Sequence, residues 1–175
     1  RTVIGVQTCA LPISALALSS PWEVAFDPKW GGPEEVVFSS LDDWSKRPEA
    51  GIKFYSGKAV YRTSFDLAAD ASKGQWFISL GNVKNIASVN VNGKELGALW
   101  SEPWRAKIPG GILRDRGNTL EITVANLWIN RLIGDSALPE KKRFTWTTWS
   151  PFRPDSPLFE SGLLGPVTLC ASEGR

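Results

Sequence analysis

Side chains that could move protons or hold ions are few in this sequence, and the acids come first. Glu102, Asp135, Asp155 and Glu160 all fall in loop-like contexts. Two carboxylates flanking a bond are the usual means of cleaving a glycoside. No spacing pairs any two of these four, and each also suits a cap or a surface ion pair, so no catalytic residue is assigned. The chain contains no histidine, which removes Ser-His-Asp and Cys-His nucleophile pairs and every zinc site built on imidazole. Its two cysteines, Cys9 and Cys170, lack the CxxC spacing of a metal or redox motif.

A denser set of polar groups is Asn126, Trp128, Asn130, Arg131 and Asp135, which directly follows a run that reads as a strand. Arginine can grip a carboxylate with two parallel bonds. Arg131 with Asp135 therefore suits an internal clamp, with the glycine at 134 permitting a tight bend. The same groups could dock a neighbouring domain or reach sugar hydroxyls, and the three roles are taken in that order. Trp100 and Trp104 flank one short turn, and Trp146 and Trp149 flank another. Each pair could cap the end of the fold, pack on a neighbour or form a stacking platform for a sugar.

The aromatic content sharpens that question. There are nine tryptophans and eight phenylalanines but only two tyrosines. A core of large side chains accounts for them, as does a surface that handles carbohydrate, because indole stacks on the apolar face of a sugar ring. Charge argues against nucleic acid. The net charge is +2, and the densest basic cluster, Lys141, Lys142 and Arg143, is only a short turn. No apolar run approaches the roughly 20 residues needed to span a bilayer, so no membrane partner is expected.

The elements that must position these residues read as strands. At 58–67, Ala59, Tyr61, Thr63, Phe65 and Leu67 share one face, with Arg62, Ser64 and Asp66 on the other. The same period of two recurs at 75–80, 87–92 and 119–124, and at Val167 and Leu169. Asn92-Gly93 between two such runs is a strong hairpin signal, since a type I′ turn needs positive φ at both central residues. Gly110-Gly111 and Gly117-Asn118 bracket other short segments. The expected fold is therefore all-β, an antiparallel β-sandwich of two sheets packed face to face. Helix should be confined to connections near 41–44. The proline-bearing stretches 28–33 and 150–157 read as loops.

The first residues look foreign to that fold. Residues 3–13 resemble the conceptual translation of a common short-read sequencing adaptor, with Ile4 departing from it. Residues 1–18 are expected to lie outside the sandwich, 19–172 to form it, and 173–175 to be a tail. A true start further upstream is also expected, with Cys170 as the one native cysteine.

The motifs carry a resemblance. Leu80-Gly81-Asn82-Val83, Ala87-Ser88-Val89-Asn90-Val91-Asn92-Gly93 and Gly97-Ala98-Leu99-Trp100 resemble the sugar-binding β-sandwich of family 2 glycoside hydrolases. The strand from Asn118 to Trp128 leads into Asn130-Arg131-Leu132-Ile133-Gly134-Asp135, then Phe144-Thr145-Trp146, then Ser161-Gly162-Leu163-Leu164-Gly165-Pro166. That order is similar to the C-terminal end of bacterial α-L-rhamnosidases of glycoside hydrolase family 106. The resemblance implies a galactose-binding-like jelly roll, an accessory domain whose parent enzyme cleaves L-rhamnose from plant or microbial glycans. It puts the catalytic carboxylates in an upstream barrel of the same polypeptide, which becomes the expected partner. Carbohydrate is a further expected partner. No cofactor is required of this chain, although galactose-binding folds often carry calcium on loop oxygens. The parent is expected in the periplasm or outside the cell.

Overall fold

A strand with one apolar face is stable only when that face is covered, and the observed architecture covers both sets of faces against each other. A computed structural model describes residues 15–19, 21–68 and 74–172. The strands are β1 (Ala15–Ala17), β2 (Trp22–Phe26), β3 (Val36–Phe38), β4 (Lys58–Phe65), β5 (Gln75–Ser79) and β6 (Asn82–Lys84). They continue with β7 (Ile86–Val91), β8 (Lys94–Leu99), β9 (Arg105–Ile108), β10 (Asn118–Ala125), β11 (Gly162–Gly165) and β12 (Thr168–Ser172). One sheet runs β3-β2-β4-β10-β7-β8, the other β1-β12-β5-β9, and β11 pairs with β6 beside them. All of these strand pairings are antiparallel. The chain is an all-β antiparallel sandwich, as its alternation predicts.

The inner faces meet in one core. Tyr61, Val89, Ile122 and Val124 from the six-stranded sheet join Trp76, Ile78, Ala106, Ile108 and Leu169 from the four-stranded one. At one end the core is aromatic. Phe26 meets Tyr55 edge-on at 4.8 Å and Trp44 at 5.2 Å between ring centroids. Trp44 Nε1 donates to Tyr61 Oη at 2.6 Å, and Leu163 N–H donates to the same oxygen at 3.2 Å. A buried hydroxyl thus joins β4, β11 and the connection after β3.

The hairpin at Asn92-Gly93 has the expected backbone, with φ of 52° and 81°. Of the nine tryptophans, four (Trp22, Trp44, Trp76, Trp104) are in the core and five are at least 44% exposed. The core thus accounts for four of the nine, and the other five lie at the surface.

Two expectations are corrected. Residues 15–18 were expected outside the sandwich, yet Ala15–Ala17 pair with Cys170, Leu169 and Thr168 of β12. Leu18 is buried, and its N–H donates to Val167 O at 2.9 Å. The adaptor-like stretch ends at residue 13, and the expectation carried it past that end to residue 18. Residues 1–14, including the adaptor-like stretch and Cys9, and the tail 173–175 lie outside the described residues. The second correction concerns helix. Besides a 3-10 turn at Trp44–Lys46 and a short helix α1 (Ala50–Lys53), an α-helix α2 spans Ile129–Ser136 where a bent loop was expected.

Candidate functional site

Helix α2 positions most of the polar residues singled out in the sequence. Its residues from Asn130 to Asp135 are all buried, so it lies sunk among loops rather than resting on a surface. Polar side chains on such a helix must find partners inside the protein. Asn130 does so by pairing with a backbone: its Nδ2 donates to Phe159 O at 2.7 Å, and its Oδ1 accepts Phe159 N–H at 2.9 Å. Just before the helix, Asn126 Nδ2 donates to Tyr55 O at 2.9 Å while its Oδ1 accepts Gly57 N–H at 3.0 Å. Ser161 Oγ accepts from both asparagines, at 3.3 and 3.1 Å.

Arg131 and Asp135 lie one helical turn apart, with Nε 3.0 Å from Oδ1 and side chains 5% and 4% exposed. The approach is ionic, with the Nε–H directed away from hydrogen-bonding geometry. Burial pushes the Arg131 guanidinium below its ordinary value, and the Asp135 carboxylate opposes that push. Phe144 supplies a further surface, with its ring centre 4.8 Å from the guanidinium carbon. The second carboxylate oxygen of Asp135 accepts three bonds: Phe144 N–H at 3.1 Å, Thr145 N–H at 2.8 Å and the Thr145 hydroxyl at 2.6 Å. The clamp expected from sequence is therefore present, and its effect is to hold the loop that carries Trp146.

The helix explains why glycine stands at 134. A Cβ there would come within 2.6 Å of Arg131 Nη2 and 2.7 Å of Phe54 Cγ. The residue permits close packing instead of the bend that the sequence suggested.

The tryptophan candidates divide. Trp100, Trp128, Trp146 and Trp149 are 74%, 54%, 77% and 75% exposed. Trp104 is a correction: it is buried in the core, so Trp100 and Trp104 do not form a platform together. Asn130, Arg131 and Asp135 are likewise turned inward and present no polar edge to solvent. The acids stay apart in role. Glu102 and Asp155 are exposed, Asp135 is buried in its clamp, and Glu160 pairs with Lys84 at 3.2 Å. Among the described residues no group of three or more acidic or cysteine side chains could hold a metal ion, so they do not fit a carboxylate-rich calcium site.

No family model matches the chain. Its sequence is 34% identical to the "Putative beta-glucuronidase" of Formosa agariphila, over 88% of this chain and 15% of that protein. Its structure matches the rhamnosidase from Novosphingobium sp. PP1Y with a TM-score of 0.81 and 36% identity, over 93% of this chain and 16% of that one. The chain is related to glycoside hydrolases. It spans about a sixth of the length of these relatives. The β-glucuronidase of Ruminococcus gnavus shares the fold, with a TM-score of 0.66 at 20% identity over 93% of this chain.

For a glycoside hydrolase relative, the residues that sequence reasoning missed are the partners of α2. Phe159 and Ser161 hold Asn130 through a backbone carbonyl and a hydroxyl, Phe54 lies against Arg131, and Tyr55 and Gly57 hold Asn126 just before the helix through backbone groups. Backbone acceptors leave no trace in residue types, so only the Asn-x-x-x-Asn-Arg spacing could have hinted at them. Exposed Leu127, Ile86 and Phe159 were also passed over.

Proposed function

We propose that this chain is the C-terminal, galactose-binding-like accessory domain of a bacterial family 106 α-L-rhamnosidase, docked to a catalytic barrel upstream and acting on plant or microbial glycans. The observation that carries the reading is the likeness to the Novosphingobium rhamnosidase over nearly all of this chain and a small part of that one. Asp135 is committed to its internal clamp and Glu160 to Lys84, which supports a non-catalytic role, since glycoside cleavage uses two carboxylates together.

Docking is supported by an exposed apolar patch. Leu127 and Phe159 line one cavity beside Lys84 and Asn85, and each is 50% exposed. Ile86, 49% exposed, stands in register beside Ala125 at the end of β10. Apolar groups gathered in this way mark a contact surface. The parent would work in the periplasm or outside the cell. A second reading, an autonomous carbohydrate-binding module, is favoured by the exposed tryptophans.

The test joins the chain to its upstream reading frame. The isolated chain should leave an aryl α-L-rhamnoside uncleaved, and the longer protein should cleave it and lose activity or stability when this domain is removed. Turnover by the isolated chain that one carboxylate substitution abolishes would overturn the reading. So would a longer protein that works equally well without the domain.

A further inference from the structure

At the C-terminal end of α2 the clamped loop walls a concavity of about 500 Å3. Its apolar side is formed by Phe144, Trp146 and Phe152, and its polar side includes Glu140, Arg143 and Ser150. We propose that this cleft binds a pyranose ring, with one face of the sugar stacked on Trp146 and its hydroxyls met by Glu140 and Arg143. The inference rests on the glycoside hydrolase reading for its class of ligand, and on geometry for its location.

Three features favour a sugar here. A pyranose is apolar on its C–H faces and polar around its rim, and the cleft offers aromatic faces beside a carboxylate, a guanidinium and hydroxyls. Pockets of this size commonly combine apolar walls with a few placed polar groups. Arg143 uses Nε on Leu138 O at 3.1 Å, and among the described residues no partner is seen for its two terminal amino groups. That leaves a flat, two-pronged donor suited to neighbouring hydroxyls. Finally, Trp146 is 77% exposed yet sits on a loop held by three bonds to one buried carboxylate. A fixed aromatic surface spares a ligand the cost of ordering it.

Neither of two other surfaces matches this combination. The depression over the outer face of the six-stranded sheet is larger, about 690 Å3, but no aromatic residue lines it, and its Arg62 and Glu121 are paired at 2.8 Å. The Leu127–Phe159 patch lies toward the other end of α2 and shares no lining residue with the cleft.

Titration of the chain with methyl α-L-rhamnopyranoside, methyl β-D-glucuronide and methyl β-D-glucopyranoside tests the proposal. Calorimetry and tryptophan fluorescence would be the readouts. At least one glycoside should bind. Trp146→Ala should weaken that binding about tenfold or more, as truncation of a central aromatic anchor does. Arg143→Ala should also weaken it, and Trp100→Ala, at an exposed indole that does not line the cleft, should leave it unchanged. No binding of any of the three would overturn the site, as would equal weakening by Trp100→Ala or weakening by Trp128→Ala alone. An absence of binding alongside domain-dependent rhamnoside cleavage removes this site and leaves the accessory role standing. Binding alongside domain-independent cleavage does the reverse.

Discussion

Arg131 Nε lies 3.0 Å from Asp135 Oδ1, one turn along a helix whose residues from 130 to 135 are all buried. The same carboxylate holds the backbone N–H groups of Phe144 and Thr145. One side chain therefore neutralises a buried cation and fixes an exposed aromatic loop.

Removing either member strands a buried charge, at a cost of roughly 3–5 kcal/mol. Arg131→Ala and Asp135→Ala should each lower the urea midpoint strongly. The double variant should lose less than the sum, because the second change removes a charge that the first had already orphaned. Small, additive losses would show that the pair contributes nothing beyond its two separate side chains.

Gly134→Ala sets two effects against each other. Alanine is favoured over glycine inside a helix by about 1 kcal/mol. Here its Cβ would press on Phe54 and Arg131, and overpacking of this kind typically costs about 1–3 kcal/mol. The contact with a ring carbon at 2.7 Å leaves little room to yield, so net destabilisation is expected. A raised melting temperature would show that the ring moves aside freely.

The N-terminal boundary can be set by truncation. A protein starting at residue 15 should be more stable than one starting at residue 19. The difference should be about 1.5–3 kcal/mol, the value of burying one leucine, with the β1 pairing adding to it. Equal unfolding midpoints would return β1 and Leu18 to the status of passengers.

Asp43 should make stability depend on acid. Burial raises its pKa, but bonds from Ser161 N–H, the Ser45 hydroxyl and Ser45 N–H outweigh that and leave it below the ordinary 3.8. The unfolded chain then takes up a proton before the folded one does. The contribution is therefore complete above about pH 4 and is lost as pH falls toward the folded value. Asp43→Asn keeps an acceptor for Ser161 N–H and removes the titration. Its midpoint should fall less steeply between about pH 5 and pH 2 than that of the parent protein. Parallel curves would assign the acid response to other carboxylates.

By itself, the sequence determined the strands that alternate strongly, the hairpin at Asn92-Gly93 and the pairing of Arg131 with Asp135. These are local facts: a strand's period of two and a turn's positive φ are written in neighbouring residues, and opposite charges four positions apart meet in a helix as readily as in a bend. Only the tertiary structure decided that the segment between them is a helix. Its stability comes from burial against Phe54 and from the bonds of Asn130 to the backbone of residue 159, while Asn126 just before it is held by the backbone of residues 55 and 57, all far away in the chain. The fate of the tryptophans was also settled at that level. Trp104 and Trp100 stand in similar local sequence, but whether an indole meets the core or water depends on which sheet passes over it, and four residues of spacing carry no record of that.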